Sequence, residues 1–83
     1  MAVHEKFIVI PFRKIKGGAM VAGEVRPASS EASAVRLAEV MAERFAGTAA
    51  LAVYVDMDTG EMSAPRLIRE FGQTMDLISD LAA

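Results

Sequence analysis

The run Lys6-Phe7-Ile8-Val9-Ile10-Pro11-Phe12-Arg13-Lys14-Ile15-Lys16 is dense in β-branched and aromatic side chains, the composition of a β-strand. Successive side chains of a strand point to opposite faces, so Phe7 and Val9 share one face while Ile8, Ile10 and Phe12 share the other. Both faces are apolar, which predicts a strand buried on both sides in the middle of a sheet. Pro11 complicates this reading because it has no N–H for a ladder. A central strand must carry a bulge there or stop near Ile10.

Moving outward, Lys16-Gly17-Gly18-Ala19 supplies two residues able to take positive φ, the requirement of a tight hairpin turn. Met20 to Arg26 then reads as a second strand. Val21 and Val25 fall on one face, with Glu24 and Arg26 on the other, so this strand belongs at an edge. Arg26-Pro27-Ala28-Ser29-Ser30-Glu31 reads as an exit loop, with Ser29 or Ser30 placed to cap the first amides of a helix. From Glu31 to Ala46 the residues are good helix formers. At 100° per residue Ala34, Leu37, Ala38, Met41 and Phe45 fall on one arc, opposite Arg36, Glu39, Glu43 and Arg44. Gly47 stands where a left-handed helix stop is expected.

Ala49 to Val55 is a third strand, with Leu51, Val53 and Val55 on one face and Ala50, Ala52 and Tyr54 on the other. Again neither face is charged. Asp56-Met57-Asp58-Thr59-Gly60-Glu61 reads as a polar turn with Gly60 as its left-handed residue. Met62 to Glu70 follows as a fourth strand, which Pro65 assigns to an edge. Gly72-Gln73-Thr74 breaks the chain before a short terminal helix over Met75 to Leu81.

Residues 1–83 thus read as a single α+β domain, β-β-α-β-β with a terminal helix. The sheet is four-stranded and of antiparallel type, in the order 2-1-3-4, with one amphipathic helix on one face. The helix carries the chain from strand two across strand one to strand three, a split β-α-β unit. One helix shelters one face only, and strands one and three are apolar on both. Either the terminal helix or a second copy of the chain must cover the other face. Met75, Leu77, Ile78 and Leu81 are few for that task, so the expectation is a homodimer. Its expected contact surface is the face opposite the helix, around Ala50, Ala52 and Tyr54. Hydrophobic residues make up 53% of the chain, a surplus for so small an interior, which also favours self-association.

The same composition excludes several chemistries. Without cysteine there are no disulfides, thiolate metal sites or thiol nucleophiles. His4 is the only histidine, in an N-terminal segment expected to fray, so neither a serine triad nor a multi-histidine metal site can be built. Asp56-x-Asp58 suggests a calcium loop but fails on spacing. Counted from Asp56, glycine falls at position five and Leu67 at position twelve, where an EF-hand needs glycine at six and glutamate at twelve. Gly17-Gly18 precedes a strand and not a helix, unlike a phosphate-binding loop. The reading contains no catalytic, cofactor-binding or metal-binding residue. There is no secretory signal pattern, and the longest apolar run, Phe7 to Phe12, is too short to cross a bilayer. The chain reads as cytoplasmic and free of the membrane.

Charge is unevenly spread. Residues 1–26 carry five basic against two acidic side chains, and residues 27–83 carry four against nine. Arg13, Lys14, Lys16 and Arg26 form a basic patch about the first hairpin, a modest one for nucleic acid, opposed by Glu39 and Glu43 on the helix.

The stretch from Ala34 to Leu67, with its alanine-rich helix, apolar strand, Asp56-x-Asp58-Thr59-Gly60-Glu61 turn and following Ala64-Pro65, resembles small uncharacterised bacterial proteins. The resemblance implies a shared small fold and transfers no activity. The expected function is that of a non-enzymatic module that self-associates through a sheet face and binds a partner protein. Nucleic-acid binding through the basic hairpin is the alternative, and a small-ligand-binding or enzymatic dimer a third reading.

Overall fold

The β-rich ends of the sequence pair into one antiparallel sheet, with the alanine-rich middle packed against it. The computed structural model describes residues 3–73, so the expected terminal helix over Met75 to Leu81 lies outside the described residues. The elements are β1 (Val3–Lys14), β2 (Met20–Ala22), β3 (Arg26–Ala28), α1 (Glu31–Met41), β4 (Gly47–Asp56) and β5 (Met62–Gly72). The sheet order is β2-β1-β4-β5, with β3 also paired to β1. This is the expected 2-1-3-4 order, except that the second strand is broken in two. His4, expected to fray, is instead paired within β1, opposite Val55.

Pro11 explains the break. Its carbonyl accepts from the Gly23 amide at 2.8 Å, on the β2 side of β1. The N–H and C=O of a strand residue point to the same side, so the missing donor also faces β2 and not β4. The β1–β4 ladder therefore runs without a shift from Val3 opposite Asp56 to Phe12 opposite Gly47. On the other side, Phe12 pairs with Ala22 while Val9 pairs with Arg26. Three residues, Gly23 to Val25, face two, Ile10 and Pro11. That surplus residue is a bulge, placed on the outer strand. Pro27, expected to lie in an exit loop, pairs with Ile8 in β3, because an outer strand can leave a donor unused.

β3 and β4 both run antiparallel to β1, hence parallel to each other, with α1 joining them as the expected split unit. Ser30 caps α1, its side chain accepting from the Ser33 amide at 3.1 Å. The helix ends at Met41, five residues short of expectation. The Ala46 amide is claimed by the Phe12 carbonyl at 2.9 Å, so residues 42–46 turn into the sheet and do not extend the helix. Gly47 is consequently not a helix stop. It begins β4.

Ala34 and Ala38, both fully buried, let α1 approach Val9 and Ala50, and Phe7, Leu37, Met41, Ile68 and Phe71 surround that contact. The opposite face holds a second cluster of Ile8, Ile10, Phe12, Ala49, Leu51 and Val53, with Met20 and Val55 at its margin. None of the six is more than 6% exposed. The alternation read from the sequence holds on both central strands.

The turns take the expected forms. Gly17 and Gly18 have φ of 93° and 85° between β1 and β2. In the β4–β5 turn the Asp56 carboxylate accepts from the amides of Asp58 and Thr59 at 2.9 and 3.4 Å, and Gly60 has φ of 78°. That carboxylate is thus spent on its own turn. Among the described residues no helix is long and apolar enough to cross a membrane.

Candidate functional site

Val9 lies under the helix, and its β3 partner Arg26 shares that face. Two steps along β1 by twos, Arg13 falls on the same face beyond Pro11. The shortened helix leaves room above them. Between the last turn of α1, the connector through residue 46 and the end of β1 there is an open groove of about 800 Å³.

Four cations line this groove: Arg13, Lys14 and Arg26 from the sheet, and Arg44 from the connector. Glu43 is the one acid lining it among the described residues. Apolar lining comes from Leu37, Val40 and Met41 on α1 with Phe45 beyond them. Val40 is 57% exposed, so this apolar lining is open to whatever enters. The Arg13 guanidinium lies 5.3 Å from the centroid of the Phe45 ring, a cation–π contact that holds its charge at the groove wall.

The sequence-derived patch is therefore largely gathered in one place, with one departure. Arg13, Lys14 and Arg26 converge, whereas Lys16 sits exposed by the hairpin turn and does not line the groove. Arg44 and Phe45 join the patch unannounced. A helix drawn through to Ala46 sends Arg44 to solvent and Phe45 to the core; ending it at Met41 redirects both. The signal that marks them is the competition for the Ala46 amide, which is tertiary.

The expected contact surface needs correction. Ala50 and Ala52 are fully buried, and Ala50 packs directly beneath Ala34 and Ala38. The face they share with Tyr54 is the helix-covered one, not the one opposite. Of the three only Tyr54, beyond the end of the helix, is exposed. The face opposite the helix is that of Leu51 and Val53, and it too is buried within a single chain.

No metal centre assembles: among the described residues no three His, Cys, Asp or Glu side chains come together as a ligand set. Arg66 and Glu31 form an exposed ion pair of 3.2 Å away from the groove. No protein-family model, curated protein or solved structure matches the chain.

Proposed function

We propose that this protein is a non-enzymatic binding module whose groove takes an acidic, partly apolar segment of a partner protein. One observation carries the reading: Arg13, Lys14, Arg26 and Arg44 surround an apolar floor of Leu37, Val40 and Met41. The cations give long-range attraction and orientation to carboxylates. The floor, which includes the adaptable Met41 side chain, suits aliphatic side chains of varied shape. Arginine on three of the four positions favours paired hydrogen bonds to carboxylate groups.

Nucleic acid is the weaker fit. Single-strand binders stack bases on several aromatic platforms, and Phe45, the only aromatic residue lining the groove, is already engaged by Arg13. Self-association through a sheet face has less support than partner binding, since both faces are buried within one chain. The absence of cysteine suits a reducing compartment, and on that ground we place the module in the cytoplasm.

Fluorescence anisotropy with a labelled peptide of alternating aspartate and leucine tests the proposal against a labelled single-stranded oligothymidylate. The peptide is expected to bind the wild type and to lose at least tenfold in affinity on Arg26→Glu with Arg44→Glu. Tighter binding of the oligothymidylate, with the same loss, makes the groove a nucleic-acid site and overturns the peptide reading. Binding that survives the double reversal removes the groove from either role.

A further inference from the structure

The groove continues onto the hairpin beyond it. Arg13 lines the groove, and its partner across the β1–β2 ladder is Val21, so the two side chains stand together on one face. Met20, the neighbour of Val21, packs into the cluster on the far side of the sheet, which fixes Val21 to the helix side. Pairing runs on past Lys14, because the Ile15 amide donates to the Ala19 carbonyl at 2.8 Å. By two-residue alternation Ile15 falls on the Arg13 face as well.

Ile15 is 48% exposed and Val21 37%. A single exposed aliphatic side chain is ordinary on a protein surface. These two occupy diagonal positions of adjacent strands, roughly 7–8 Å apart, so one ligand side chain can touch both. Neither position needs an aliphatic residue for the hairpin itself, since threonine serves an exposed strand site equally well. The charge around them is of one sign: residues 13–22 hold Arg13, Lys14 and Lys16 and no acidic side chain. Apolar contact set among cations is the same chemistry as the groove floor of Leu37, Val40 and Met41.

From Arg26, opposite Val9, to Arg13 the sheet side of the groove spans roughly 13 Å at strand rise. Ile15 lies about 7 Å further along. We infer that the partner segment runs out of the groove past Arg13 and onto the hairpin. There Ile15 and Val21 receive a second apolar side chain, and Lys14 and Lys16 attract its acidic neighbours. The hairpin is thus a second subsite, and it sets how long a segment the protein recognises. This subsite rests on the groove being a peptide site, and it returns Lys16, which stands outside the groove, to the binding surface.

The test compares two peptides of alternating aspartate and leucine, one of about five residues, long enough for the groove alone, and one of about ten, long enough to reach Ile15. Titrations followed by nuclear magnetic resonance give both affinities. The longer peptide is expected to bind the wild type roughly tenfold tighter, the gain from covering two half-exposed aliphatic side chains. Ile15→Ser with Val21→Ser is expected to abolish that advantage and to leave the shorter peptide unaffected. Val21→Thr, which keeps the branched shape and the strand, is expected to remove part of it. Equal affinity of the two peptides for the wild type, or an advantage that survives both variants, overturns the subsite while leaving the groove intact. Failure of both peptides to bind the wild type overturns the groove reading and the subsite with it.

Discussion

The hydroxyl of Thr48 donates a 2.7 Å hydrogen bond to the Ala38 carbonyl. Thr48 is fully buried, the only polar residue so enclosed among the described residues, and this bond joins the second residue of β4 to the last turn of α1. The Ala38 carbonyl also accepts from the Ala42 amide at 2.9 Å. Removing the hydroxyl therefore leaves no buried group without a partner. Thr48→Val keeps the shape and is expected to cost about 1 kcal/mol, which lowers Tm by roughly 4–8 °C in a domain of this size. Thermal unfolding followed by circular dichroism measures it; an unchanged Tm would show that helix and sheet are docked by apolar packing alone.

Three glycines separate two reasons for lacking a side chain. Gly60 has φ of 78° and open space around it, whereas Gly47 has ordinary backbone but no room, the Gln73 backbone filling its Cβ position. Gly72 combines both, with φ of 69° and a would-be Cβ 2.5 Å from the Ala46 carbonyl oxygen. Gly60→Asn is expected to be nearly neutral, since asparagine tolerates the left-handed region. Gly72→Asn and Gly47→Ala are expected to lose several kcal/mol, because backbone must move. Denaturant midpoints at constant slope rank the three, and a Gly47→Ala protein as stable as wild type contradicts the close approach.

Capping of α1 should depend on one serine of two. Ser30 accepts from the Ser33 amide, whereas Ser29 contacts only the Ser33 hydroxyl at 3.3 Å. Ser30→Ala is expected to lose about 1 kcal/mol, and Ser29→Ala a few tenths at most. Equal losses at the two positions would place the cap elsewhere.

Glu31 and Arg66 approach to 3.2 Å with side chains 54% and 57% exposed. Water and salt screen such a pair, and a double-mutant cycle is expected to give a coupling of about 0.5 kcal/mol or less. A coupling several times larger would mean that β5 relies on this contact to stay against the helix.

Much of the fold is legible because period-two alternation survives in the central strands. Phe7 to Phe12 and Leu51 to Val55 declare two apolar faces each, and the structure buries both. The helix end is not legible. Ala42, Glu43 and Arg44 favour continued helix, and only the Phe12 carbonyl, thirty-odd residues away in sequence, draws Ala46 out of it. Gly47 reads as a left-handed helix stop, but the structure needs it for an absent side chain, and sequence does not distinguish the two. The groove inherits both errors. Its sheet half, Arg13, Lys14 and Arg26, is visible as a local cluster, but Arg44 and Phe45 reach it only because the helix stops early.

The irregular outer strands have a consequence for how this sheet meets its neighbours. On one flank the surplus residue opposite Pro11 divides the strand into pieces of three residues each. On the other, β5 slips register against β4 twice, and Ala64 at φ of 46° precedes Pro65 beside one of the slips. Neither flank offers a long, straight row of free amides and carbonyls as a template. A chain this oily is thus kept from stacking strand upon strand into fibrils, and crowding should drive it to precipitate as amorphous material sooner than as ordered filaments.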